Sequence, residues 1–108
     1  SKLEARQIEP KKERFPIFDL IKDMSEKFKL LAHQKNIRLQ TDLRAEGVMV
    51  EADLAMIERV VQNLVDNALK YTPENGEINV KLHEKNANNI RVSICNTGPG
   101  IPKELLPK

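Results

Sequence analysis

Residues 53–82 read DLAMIERVVQNLVDNALKYTPENGEINVKL, and this stretch decides the fold. Ile57, Val60, Val61, Leu64, Val65, Ala68 and Leu69 recur at i, i+3, i+4 and i+7, the spacing of a helix with one apolar side. Asp53 stands where an N-cap is wanted, and Pro73 stops the helix at Tyr71 or Thr72. Glu74-Asn75-Gly76 is turn chemistry, after which Ile78, Val80 and Leu82 alternate as a half-buried strand.

Downstream, Lys85 to Asn89 is a polar turn and Ile90, Val92 and Ile94 alternate again, which predicts an antiparallel hairpin. Upstream, Ile37, Leu39, Thr41 and Leu43 alternate with polar residues. Glu46-Gly47 then turns into Val48-Met49-Val50, a short strand expected to pair with the one before it. Leu20, Ile21, Met24, Phe28 and Leu31 predict a first helix, capped by Asp19 and ending near Asn36. Before it, Arg14-Phe15-Pro16-Ile17 suits a short edge strand, Pro10 breaks a polar stretch, and the residues through Ile8 read as a helix tail. Helix, two strands, helix, two strands gives an α+β fold. It is a two-layer α/β sandwich, with helices on one face of a mixed, mostly antiparallel sheet.

The 108 residues suit one modest domain, 40% hydrophobic and 31% charged. Eighteen Lys and Arg against 16 Asp and Glu leave a formal charge of +2, and there is no Trp. A nucleic-acid partner is therefore not expected, for want of a concentrated basic face and stacking aromatics. The single Cys95 excludes an internal disulfide and fits a reducing compartment. No run approaches the ~20 apolar residues of a bilayer span, and the N-terminus is no secretory signal. The expected location is cytoplasmic, with membrane attachment of any longer parent decided outside these residues.

Two polar groupings carry the chemistry. At about 100° per residue, Asn63, Asn67 and Lys70 fall in one narrow stripe of the second helix. Asn is a mediocre helix former, so two of them one turn apart are unusual for a merely solvated face. Asn96-Thr97-Gly98-Pro99-Gly100 follows a buried strand, where a loop with two closely spaced glycines suits ligand approach.

Asn63-Leu64-Val65-Asp66-Asn67-Ala68-Leu69-Lys70-Tyr71-Thr72-Pro73 resembles the N box of sensor histidine kinases, and Ile94-Cys95-Asn96-Thr97-Gly98-Pro99-Gly100-Ile101-Pro102 resembles their G1 box. Glu51-Ala52-Asp53 also sits where the family has it, and Ser1-Lys2-Leu3-Glu4 resembles the end of the dimerisation helix. The implied division is 1–10 as the end of that helix with its linker, and 11–108 as the N-terminal part of the ATP-binding catalytic domain.

The resemblance implies ATP and Mg²⁺ as cofactors. It makes Asn67 the Mg²⁺ ligand through its side-chain carbonyl, with the phosphates supplying negative charge. It places Lys70 on the phosphates, Tyr71 beside the nucleotide and Asn63 on the phosphate side of the groove. Hydrolytic relatives such as gyrase and heat-shock chaperones carry a glutamate where Asn63 stands. An amide cannot serve as a general base, so the site looks arranged for transfer rather than hydrolysis. Glu58 and Asp66 are read as solvated. Gly98 and Gly100 would hinge a lid over ATP, and Ile101 would contact the base.

One departure concerns the first G1 residue, usually an aspartate that accepts from the adenine amino group and here Asn96. Its amide keeps one acceptor and adds a donor. Neither His33 nor His83 lies in a phosphoacceptor context, so no catalytic residue is assigned. The family continues with a lid, a second glycine box and closing strands, and these 108 residues are expected to be the part that precedes them. The expectation is an inactive fragment with weak or undetectable ATP binding, belonging to a kinase that phosphorylates a histidine and signals to a response regulator. Its partners would be the parent's dimerisation and phosphoacceptor domain, the response regulator, and a second copy through an exposed sheet edge. The alternatives are a folded or dimerising module alone, or a hydrolytic ATPase of the same superfamily.

Overall fold

The structure, a computed structural model, describes residues 10–87 and 89–96. Its elements are β1 (Lys12–Pro16), α1 (Ile17–Gln34), β2 (Arg38–Leu43), β3 (Met49–Asp53), α2 (Leu54–Tyr71), β4 (Glu77–Asn86) and β5 (Asn89–Asn96). The fold is α+β, as the sequence predicts, but the strands divide between two sheets. β1 and β3 form an antiparallel pair, while β2, β4 and β5 form a mixed sheet in that order. In it β2 runs parallel to β4, and β4 and β5 make the expected antiparallel hairpin.

The predicted pairing of the strand at 37–43 with Val48-Met49-Val50 is therefore corrected. Ala45 and Gly47 both adopt positive φ, at 66° and 83°, and the chain leaves the sheet there instead of folding back on β2. Arg44 N–H still donates to Leu82 O at 2.8 Å, extending the β2–β4 ladder past the strand end. A parallel pair needs a long crossover, and the segment containing β3 and α2 supplies it.

The α1 cap also differs from expectation. Pro16 is the N-cap, no side chain caps the helix, and Asp19 lies exposed in the first turn. Ile17, which the sequence assigns to the strand, is 4% exposed. Burying it starts the helix two residues before Asp19, whose carboxylate faces solvent near the positive end of the helix. At the other end, Ile37 N–H reaches Ala32 O and Asn36 N–H reaches His33 O, at 2.9 and 3.0 Å. With Asn36 at φ 58°, this is a Schellman stop in which asparagine takes the usual glycine place. The same turn is tied to the entrance of β4 through Asn75 N–H to Asn36 O, at 2.7 Å.

The core lies between the two helices and the inner face of the mixed sheet. Strand alternation and register put Leu39, Ile78 and Asn96 in one cross-strand row, with Thr41, Val80 and Ile94 in the next. Ile78, Val80 and Leu82 of the central strand are wholly buried. Against them α1 places Ile21, Phe28 and Ala32, and α2 places Val61, Val65, Ala68 and Leu69. Each fully buried aliphatic side chain contributes about 1.5–3 kcal/mol relative to exposure. Among the described residues no helix is long and apolar enough to cross a membrane.

Asp53 caps α2 as predicted and does a second job. One carboxylate oxygen accepts from Met56 N–H at 3.1 Å, and the other accepts from Lys11 N–H at 2.9 Å. The bond from Lys11, then that from Met56, holds its carboxyl below the ordinary value of 3.8. A carboxylate held low stabilises the fold above its unfolded pKa and loses that contribution as pH falls through the folded value. Asp53→Asn keeps an oxygen for Met56 but sets an amide donor against Lys11 N–H. Urea midpoints measured from neutral pH downward should fall in the wild type below about pH 4. The D53N variant should start lower and show a shallower acid decline.

Candidate functional site

The apolar stripe of α2 sets which way its polar residues point. With Val61, Val65, Ala68 and Leu69 buried, Asn63, Asn67 and Lys70 come to lie exposed, on the side of the helix away from the core. Tyr71 follows at 51% exposure, with Lys70 Nζ 5.4 Å from its ring centroid, a cation–π contact at the helix end. Asp66 accepts from Gln62 Nε2 at 3.0 Å, and both Asp66 and Glu58 are exposed.

Asn96 differs in kind. The alternation that turns Ile94 inward also turns Asn96 inward, so the last residue of β5 is polar and 0% exposed. Its Nδ2 donates to Thr72 Oγ1 at 2.8 Å, and Thr72 itself is 5% exposed. Its Oδ1 is buried with no hydrogen-bond partner among the described residues. A buried carbonyl without a donor costs free energy and marks a place where a donor is expected.

Thr72 is the C-cap of α2, its N–H bonded to Ala68 O at 2.9 Å. One side-chain bond thus joins the end of the Asn63–Asn67–Lys70 helix to the end of β5. Asn67 lies five residues before Thr72, about 7.5 Å along the helix axis. Of the second polar grouping only Asn96 is among the described residues, and it is tied to the C-terminal end of the helix that carries the first. Gly98, Gly100 and Ile101 lie outside the described residues, as do residues 1–9 with the predicted dimerisation-helix end.

Sequence reasoning passed over Thr72. The signal was present: an inward-facing strand ending in asparagine needs a buried partner, and a threonine at a helix end before proline is a candidate.

The two histidines are peripheral. His33 is exposed, and His83 Nε2 lies 3.1 Å from Asp42 Oδ2 on the sheet. Arg44 first, then His83, holds the Asp42 carboxyl below its usual range. Cys95 is half-buried in β5, as its strand position predicts. Among the described residues no group of three or more His, Cys, Asp or Glu is placed to hold a metal ion.

With this geometry in place, the comparisons with known proteins give the class. The chain belongs to the histidine kinase-, DNA gyrase B- and HSP90-like ATPase family, whose pattern matches residues 52–108. Within that family it is a histidine-kinase-type ATPase domain. The adaptive-response sensory kinase SasA of Gloeothece citriformis is 40% identical over 86 residues, covering 80% of this chain and 21% of that protein. The chain thus spans about a fifth of the length of the sensory kinase it matches. The catalytic domain of histidine kinase ThkA superposes with a TM-score of 0.75 at 36% identity, over 88% of this chain and 64% of that one. ThkA has also been solved in complex with the response regulator TrrA. Full-length ShkA in complex with AMPPNP gives a TM-score of 0.78 at 25% identity, over 95% of this chain and 22% of that one.

The Thr72–Asn96 bond can be tested apart from any ligand. Thr72→Val keeps the volume but leaves both ends of the Asn96 amide without a partner. It should cost about 1–3 kcal/mol in urea unfolding with an unchanged slope, and Thr72→Ser should recover most of it.

Proposed function

We propose that this chain is the ATP-binding part of a sensor histidine kinase. Its parent would transfer the γ-phosphoryl group to a histidine and signal to a response regulator. The observation that carries the reading is the unpartnered Asn96 Oδ1, buried beside the end of the helix that exposes Asn63, Asn67 and Lys70. A buried acceptor suits the adenine amino group, and exposed amides and an ammonium suit hydrated phosphate and cation. The residues present therefore fit Mg-ATP.

In this reading Asn67 offers its carbonyl oxygen to Mg²⁺, a neutral ligand appropriate where phosphates already supply charge. Lys70 holds the phosphates as a compact cation, and its contact with Tyr71 limits its sweep while Tyr71 flanks the nucleotide. Asn63 lines the phosphate side and accepts no proton from water, which keeps ATP intact until an acceptor arrives. Mg²⁺ held by Asn67 would supply positive charge to offset that of the phosphates. The resemblance would give Gly98 and Gly100 the lid hinge and Ile101 a base contact, all three outside the described residues. A division near residue 10 rests on the resemblance of Ser1-Lys2-Leu3-Glu4 to the end of the dimerisation helix, which lies outside the described residues. The response regulator as partner is supported by the ThkA–TrrA complex. Pairing of two copies draws support from β5, whose second edge has no strand beside it among the described residues. The hydrolytic alternative is disfavoured by Asn63, since neither Asp66 nor Glu58 stands in its place.

Titration with Mg-ATP, followed by amide ¹H–¹⁵N shifts, should show weak saturable binding centred on α2 and Asn96. Asn67→Ala should lower the affinity about tenfold, the scale of ~1.4 kcal/mol, and remove its dependence on Mg²⁺. Saturable binding that Asn67→Ala leaves intact would refute the assignment of that residue. Incubation with γ-labelled ATP should leave the chain unlabelled and release little ADP, because among the described residues no histidine is placed as acceptor and no carboxylate as base. Acid-labile label on His33 or His83 would reverse that reading.

A further inference from the structure

We infer that the Asn96 site accepts 6-oxopurine nucleotides as well as the 6-aminopurine of ATP. This rests on the reading of Asn96 as the residue that meets the base. The inference comes from the pairing of two groups that each donate and accept. Asn96 is 0% exposed, its Nδ2 lies 2.8 Å from Thr72 Oγ1, and its Oδ1 has no partner. The two ends of a carboxamide are nearly the same size, so a half-turn about the Cβ–Cγ bond exchanges them without moving neighbours. A threonine hydroxyl is a donor and an acceptor on a free rotor.

In the orientation present, Thr72 accepts from Nδ2 and the free end of Asn96 is an acceptor. After the half-turn, Thr72 donates to Oδ1 over the same heavy-atom distance and the free end is a donor. The internal bond survives both arrangements. The first suits the amino group at C6 of adenine, and the second suits the carbonyl oxygen at C6 of hypoxanthine. Either base gives the orphaned atom a partner and so removes the cost of leaving it unpaired.

A carboxylate at position 96 behaves otherwise. It has acceptors only, so Thr72 is fixed as its donor and the free oxygen opposes the O6 of a 6-oxopurine. With both partners buried, that mismatch is not relieved by water. Asn96 thus converts a one-sided filter at C6 into one that follows the base.

The probe is inosine triphosphate, which carries O6 and no amino group at C2; it differs from ATP at C6 and at the adjoining N1, which donates where adenine N1 accepts, and the Asn96→Asp comparison isolates the contact at C6. The chain is titrated with Mg-ATP and with Mg-ITP under the same conditions, by amide shifts that read millimolar dissociation constants. ITP is expected to bind within about tenfold of ATP. In Asn96→Asp, ITP should weaken about 10- to 100-fold relative to ATP, the scale of one buried mismatch. ATP binding with ITP more than about tenfold weaker in the wild type overturns the inference and leaves the ATP reading standing. An unchanged ratio in a folded Asn96→Asp chain also overturns it. Binding of neither nucleotide overturns both readings. The wild-type ratio decides alone where Asn96→Asp fails to fold.

Discussion

Burial of one narrow arc of α2 in the core it shares with the mixed sheet is the constraint on which the molecule turns. Val61, Val65, Ala68 and Leu69 fix the rotation of the helix about its own axis by entering that core with Ile78, Val80, Leu82 and Ile94. Once that rotation is set, the positions of Asn63, Asn67 and Lys70 follow from 3.6 residues per turn without further instruction. The sheet imposes the complementary condition. Period-two alternation along β5 carries Asn96 to the interior, and Thr72 at the end of the same helix meets it. Packing and polar geometry are thus two outcomes of one docking.

The sequence was most informative where local chemistry and tertiary demand agree. Asp53, Pro73 and the α2 periodicity act within a few residues, and the structure keeps all three. The hairpin of β4 and β5 is likewise local. What escaped was strand adjacency. Alternation in residues 37–43 reveals that a strand has a buried face but says nothing of its neighbour, and the nearest strand in sequence was not the one in space. Asp19 shows the opposite failure, a good local cap overridden by burial of Ile17. Val60 shows that an apolar stripe is wider than the face it buries, for it belongs to the periodic set and is 53% exposed.

The site was legible as residue types at a spacing, and less so as a network. Asn63, Asn67 and Lys70 declare themselves by sharing a helix face. Thr72 does not, because its role depends on a strand that begins well after it. A buried polar residue in an otherwise apolar register is itself a request for a partner, and searching for one at helix ends would have found it.

The two sheet pairings outside the hairpin have a consequence for how the chain reaches this state. Lys12 stands opposite Asp53 and Arg38 opposite Glu77, so each pairing spans about forty residues of intervening chain. They also interleave, since β1 and β2 flank α1 while their partners β3 and β4 flank α2. A break in the loop after β2 would give two pieces, each with strands whose neighbours lie in the other. Such pieces have little to hold them apart and much to recover on meeting, which makes the chain a natural candidate for reassembly from fragments. For the intact polypeptide the same weave makes the two halves cooperative: neither sheet can complete itself until both helices have taken their places.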